Sequence, residues 1–164
     1  MYRLSGVTKE YGHGAVRALR GVELVLPDGD WLAVRGPTGH GKSTLLQIMG
    51  GLDWPTRGTV ELDGEDLSRM PETAVTRARA RLIGFVFQSF NLIPTLSAAE
   101  NVEMALAPLG VHAADRHRRS AATLEAVGLA ARAGHLPSEL SGGQQQRVAI
   151  ARALVKEPAR AASR

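Results

Sequence analysis

Gly36-Pro37-Thr38-Gly39-His40-Gly41-Lys42-Ser43 is the stretch that decides the fold of this chain. It fits the pattern G-x-x-x-x-G-K-[ST]. The glycines let the backbone curl until successive N–H groups face inward. Those donors, with the positive end of a following helix, hold phosphate oxygens. Lys42 can reach the β- and γ-phosphates of a nucleotide as a point charge, and the Ser43 hydroxyl can ligate Mg²⁺. His40 fills a free position of the pattern, either touching phosphate or standing solvated in the loop. Thr44 follows directly and joins the nucleotide-binding set. The flanks agree with the chemistry. Trp31-Leu32-Ala33-Val34 is a short apolar run ending at Gly36, which suits a strand buried on both faces. Residues 43–49 read as a short helix closed by Gly50-Gly51.

Outward from this loop, three β-rich segments open the chain. Residues 2–8 alternate loosely and Val22-Glu23-Leu24-Val25-Leu26 alternates with a strand period, before Pro27-Asp28-Gly29-Asp30 turns the chain. Thr59-Val60-Glu61-Leu62 runs into the turn Asp63-Gly64. Residues 71–81 read as a polar helix and Gly84-Phe85-Val86-Phe87 as another buried strand. Beyond it the chain turns helical. Residues 97–106 have Ser97 as N-cap with Glu100 three positions later, a capping box. Residues 115–127 and 141–154 are the remaining helices. A strand–loop–helix unit followed by helices makes an α/β protein, a P-loop core with a helical insertion.

Composition bounds the function. The 164 residues suit one domain with a real core, and the absence of cysteine excludes disulfides and thiolate metal sites. No apolar run approaches the ~20 residues of a spanning helix. The opening Met1-Tyr2-Arg3-Leu4-Ser5 has no signal-peptide pattern, which points to the cytoplasm. The formal charge is +4 and the pI about 10.1. The charge is scattered arginine, with lysine only at 9, 42 and 156, and no basic stripe interleaves with aromatics, so nucleic acid is not an expected partner. Arg77, Arg79 and Arg81 read as a solvated helix face.

A second motif is Leu140-Ser141-Gly142-Gly143-Gln144-Gln145-Gln146-Arg147. Ser141 sits where an N-cap belongs, and an amphipathic run through Val148, Ile150, Ala151 and Leu154 follows. Two glycines at a helix start make a second surface ready for phosphate.

With both motifs in place, the chain resembles the ATP-binding subunits of ABC transporters over residues 1 to about 158. Gly50-Gly51-Leu52-Asp53 and the run from Ile83 through Phe87-Gln88-Ser89-Phe90-Asn91-Leu92-Ile93-Pro94-Thr95-Leu96 to Ser97 resemble the macrolide-exporter and lipoprotein-releasing branch. The resemblance implies a P-loop NTPase core with an antiparallel β subdomain and a helical insertion at about 88–140, one incomplete domain spanning 1–164. It implies ATP and Mg²⁺ as cofactors. It makes Tyr11 the aromatic on which adenine stacks, Gln88 the glutamine that touches Mg²⁺ and the attacking water, and Ser141, Gly142, Gly143 and Gln144 the signature that closes over ATP bound to a second subunit. The implied partners are a transmembrane permease and, in the full-length form, a second copy. The implied place is the cytoplasmic face of the membrane.

One departure stands out. The family has four apolar residues ending in Asp and then Glu shortly after the signature helix, and a switch histidine later. This chain reads Leu154-Val155-Lys156-Glu157-Pro158-Ala159-Arg160-Ala161-Ala162-Ser163-Arg164. The tail reads as out-of-frame coding or a truncated gene. By the resemblance, the lost segment is the parallel strand beside the phosphate-loop strand, and its absence is expected to leave two central strands unpaired and apolar faces open. Hydrolysis by this chain is therefore in doubt. The alternative is a non-catalytic nucleotide-binding or interaction module that docks on a permease. A P-loop kinase fits less well, since kinases have no use for the signature.

Overall fold

The computed structural model describes residues 1–12 and 14–156, and the backbone of 160–163. The chain divides into two compact units, Met1–Thr76 and Arg77–Arg164.

The first unit is an antiparallel sheet with one helix. Strands β1 (Tyr2–Tyr11), β2 (Val16–Leu26), β3 (Arg57–Leu62) and β4 (Glu65–Asp66) stand in the order β2-β1-β3-β4. The loose alternation of β1 has a cause. Its pairing with β2 shifts register between Leu4 and Val7, so Tyr2, Leu4 and Val7 are all buried although they do not keep a period of two. The Asp63-Gly64 turn joins β3 to β4 with φ of 52° and 84°, the paired positive values of a tight hairpin. Helix α1 (Lys42–Met49) buries Ile48 and Met49, and the Tyr2 hydroxyl donates to the Met49 carbonyl at 3.0 Å.

Residues 31–34 do not form the predicted strand. They carry no sheet pairing, and Trp31 is 88% exposed and Leu32 44%. Four apolar residues have no strand structure of their own. A strand of this kind exists only when neighbours accept its backbone bonds and cover its faces, and these residues pair with none among the described residues.

The second unit takes the end of helix α2 (Glu72–Leu82) and then β5 (Ile83–Val86), α3 (Ala98–Glu103), α4 (Ala113–Ala126), α5 (Gly142–Leu154) and β6 (Arg160–Ser163). Its core is Val102 and Leu106 beside α3, Leu124 and Leu129 at the end of α4, and Leu140, Val148, Ala151 and Val155 along α5. Gly84 of β5 packs against α5 so closely that a Cβ there would lie 2.7 Å from the Ala153 carbonyl oxygen. The Lys156 ammonium donates to the Ile83 carbonyl at 2.6 Å.

The tail corrects a second expectation. The backbone of β6 pairs in parallel with β5, from Ile83 opposite Arg160 to Val86 opposite Ser163. The ladder of β5 offers backbone donors and acceptors that any extended segment can meet, whatever its side chains. Residues 157–159 and Arg164, also assigned to the tail, lie outside the described residues.

Both capping boxes form as the sequence predicts. Ser97 accepts from the Glu100 amide while the Glu100 carboxylate accepts from Ser97, and Ser141 and Gln144 do the same at α5. One organising group is not visible in the sequence. Asn101 is 1% exposed. Its Oδ1 accepts from Ile93 N at 2.7 Å, and its Nδ2 lies within 3.1 Å of the carbonyls of Ile93, Leu96 and Ser97. This one amide closes the loop before α3. Asn101→Ala should cost about 1–3 kcal/mol, because it strands buried polar groups that only a side-chain amide satisfies. Urea unfolding followed by circular dichroism measures this, with Asn101→Asp also destabilising because it turns an acceptor toward three carbonyls.

Candidate functional site

The phosphate loop is exposed and shaped by glycines of positive φ. Gly36, Gly39 and Gly41 take 147°, 83° and 76°. Only glycine serves at position 41, where a Cβ would stand 2.2 Å from the Ala18 carbonyl oxygen. Gly41 is also the N-cap of α1, with no side-chain cap, and the first turn of the helix holds no acidic residue. The amides of Lys42, Ser43 and Thr44 thus open α1 without the capping acceptor that serves α3 and α5. Lys42 Nζ donates to Gly36 O and Pro37 O, each at 2.7 Å, which curls the loop around the ammonium and leaves a third donor. His40 Nδ1 lies 3.2 Å from Thr38 O, so its contact is within the loop. The Ser43 hydroxyl is exposed at the second helical position. A positive helix end, an ammonium and a set of open amides with no carboxylate among them fit a polyphosphate, and Ser43 supplies an oxygen suited to its Mg²⁺.

Tyr11 stands at the same end of the unit. Its hydroxyl donates to Asp53 Oδ2 at 2.8 Å. Burial first, and then the bond to Asp53, raise the phenol above its ordinary value. The Asp53 carboxylate is held on every side: Lys9 Nζ donates to Oδ1 at 2.6 Å and the Trp54 amide donates to the same oxygen at 2.8 Å. Burial works against its charge, but the bonds from Lys9, Tyr11 and Trp54 outweigh it and keep the carboxyl below the usual range. Lys9 Nζ also donates to Trp54 O at 2.7 Å and lies 4.9 Å from the centroid of the Tyr11 ring. Sequence reasoning assigned no role to Lys9 or Asp53. They are 44 residues apart, and no local pattern pairs them.

In the second unit, Gln88 is exposed just past β5. The loop after it turns through Phe90 and Asn91 with φ of 60° and 47°. Arg152 of α5 holds that turn, donating to Phe90 O at 2.6 Å and Asn91 O at 2.5 Å. Leu92 packs against the helical core while Ile93 is exposed, so the apolar run of this loop is divided between core and surface. At the signature, Ser141, Gly142 and Gly143 are exposed. The capping box turns the Gln144 side chain back onto Ser141 N at 2.8 Å, so the amides of the two glycines remain open at the helix start. Gln145, another residue without an assigned role, donates to Pro137 O and Leu140 O and fixes the approach to the signature. Arg77 and Arg81 are exposed on α2, as a solvated face requires, but Arg79 between them is half-buried.

Comparison with known proteins follows the same motifs. The family model described as ABC transporter matches residues 19–160. The chain is 52% identical over 149 residues to an ABC transporter ATP-binding protein of Thermotoga maritima, covering 91% of this chain and 64% of that one. It is 49% identical over 157 residues to the macrolide export ATP-binding/permease protein MacB of Brucella melitensis, covering 94% of this chain and 24% of that one. It therefore spans less than two thirds of either relative. Among solved structures, the ATP-binding cassette MJ0796, a dimer in a post-hydrolysis state bound to ADP and Pi, superposes with a TM-score of 0.92 at 43% identity, covering 99% of this chain and 73% of that one. An α/β cassette fold, a phosphate loop and a signature helix thus coincide with a family match over most of the length, and the chain belongs to the ABC transporter family, among its ATP-binding proteins.

Proposed function

We propose that this chain is the ATP-binding subunit of an ABC transporter, which couples ATP binding and hydrolysis to a membrane permease. The observation that carries the proposal is the start of α1, where a glycine N-cap leaves the first amides open and Lys42 folds over the loop. Residues 36–44 grip the phosphates, Ser43 offers its hydroxyl to Mg²⁺, Tyr11 takes the base, and Gln88 is the family-like glutamine for metal and water. When bound, Mg²⁺ supplies charge neutralisation on the phosphate oxygens. The chain's own part is to aim amides and the Lys42 ammonium at phosphate, and to offer Ser141, Gly142, Gly143 and Gln144 to the nucleotide held by a second subunit. Two copies, each with an open signature, complete one another's sites in this reading. The proposed domain is an ABC-transporter ATP-binding domain assigned to 1–164, with its helical insertion at about 88–140.

The permease is engaged through the surface at 88–96, where Gln88 and Ile93 are exposed, and through the helical insertion. Among the described residues no helix is long and apolar enough to cross a membrane. The proposed place is peripheral, on the cytoplasmic face of the inner or plasma membrane. The alternative is a non-catalytic nucleotide-binding or interaction module that docks on a permease.

Two measurements test these readings. Lys42→Ala removes a charged contact to phosphate worth about 1.5–3 kcal/mol, so ATP should bind about ten- to hundredfold more weakly in calorimetric titration. Equal affinity in wild type and variant sinks the phosphate-loop assignment. The 164-residue chain should release phosphate from ATP at the background rate, because residues that orient water and hold metal are worth about 10²–10⁴-fold where a general base alone is lost. Phosphate release beside a version extended through an Asp-Glu segment decides between the readings. Turnover by the short chain that depends on Lys42 and matches the extended one places the catalytic carboxylate elsewhere.

A further inference from the structure

We propose that Lys9 and Asp53 are positioning residues for the base of the bound nucleotide, acting through the Tyr11 ring that they hold between them. The inference rests on the ATP-binding reading above and assigns to two further side chains the task of building the base platform.

The geometry over-determines the tyrosine. Its hydroxyl is bonded to Asp53, and Lys9 Nζ lies over the ring at 4.9 Å. The residues that hold it are themselves held. Lys9 and Asp53 form an ion pair of 2.6 Å whose side chains are only 12% and 26% exposed, and both bond to the backbone of Trp54. An exposed aromatic on a strand end gains no such restraint by default, since an ordinary surface tyrosine keeps its rotamer freedom. Here that freedom is already removed, so a stacked base need not pay for ordering the ring.

One detail connects the network to a ligand and not only to the strand. The ring, part of a residue 39% exposed, has Lys9 over one face, and a planar base can take the other. The same strand is already fastened to residue 56 by other bonds: Thr56 N donates to Thr8 O at 2.8 Å, and Glu10 N to Thr56 Oγ1 at 3.0 Å. Lys9 and Asp53 are therefore not needed to keep β1 beside this turn.

Calorimetric titration of the 164-residue chain with Mg-ATP and with inorganic tripolyphosphate, which has no base, separates the two parts of the site. Asp53→Asn and Lys9→Met should each weaken ATP binding about five- to tenfold, within the range of stacking energies for a single base, and leave tripolyphosphate binding unchanged. Tyr11→Phe keeps the ring and removes its hydroxyl bond to Asp53, and should give the same selective loss. It carries the test if Asp53→Asn melts below the assay temperature. Equal losses on both ligands, or no loss on ATP, overturn the positioning role and leave the phosphate loop standing. A wild-type chain that binds tripolyphosphate as tightly as ATP also overturns it, because the base is then not engaged. A wild-type chain that binds neither overturns the phosphate-loop reading and this inference with it.

Discussion

The first amides of α1 must find acceptors, and no side chain among the described residues caps the helix start. That constraint organises the first unit. At α3 and α5 the same problem is solved internally, by Ser97 with Glu100 and by Ser141 with Gln144. At α1 the cap is Gly41, whose backbone turns the chain without satisfying the helix. Open backbone donors tolerate water, and they bind an anion better. The cost in helix stability at this end is the condition for a phosphate site.

An eight-residue helix with an open N-terminus does not hold itself together in water. The sheet anchors it at both ends. At the start, Gly41 lies against the Ala18 carbonyl of β2 so closely that no side chain fits between them. At the end, Tyr2 of β1 bonds the Met49 carbonyl from a buried position. The bulged register of β1 matters here, because it keeps Tyr2, Leu4 and Val7 all facing the core. Sheet, helix and loop thus form one arrangement in which packing fixes where the open amides point.

In the second unit α5 takes the organising part. Arg152 bonds two carbonyls of the turn after Gln88, Gln145 bonds two carbonyls before the signature, and Arg147 bonds the Val127 carbonyl at the end of α4 at 3.2 Å. Burial pushes the Arg152 guanidinium below its ordinary value, yet the group stays charged, and carbonyl oxygens are its compensation. The helix that begins with the signature is therefore the one that fixes the loop carrying Gln88. A displacement of α5 would be felt at that loop through two strong bonds rather than through soft apolar contact.

What was legible in the sequence was local. Capping boxes are spacings of three, the Asp63-Gly64 turn is a dipeptide, and the phosphate loop is eight consecutive residues, so each is written where it acts. The run Trp31-Leu32-Ala33-Val34 was misleading for the opposite reason: apolar residues state that a strand could be buried, while a partner decides whether it forms. The pairing of β6 with β5 was missed because backbone ladders leave little trace in side-chain chemistry. Asn101 and Arg152 were invisible because a buried polar residue reads like a surface one until its carbonyl partners are known. The Lys9, Asp53 and Tyr11 cluster shows the limit most sharply. Lys9 and Asp53 alone are ordinary polar groups near a turn, and their meaning arises only when strand pairing brings residues 9 and 11 beside residue 53. Chemistry carried by neighbours in sequence can be read directly, whereas chemistry carried by neighbours in space waits on the sheet that assembles it.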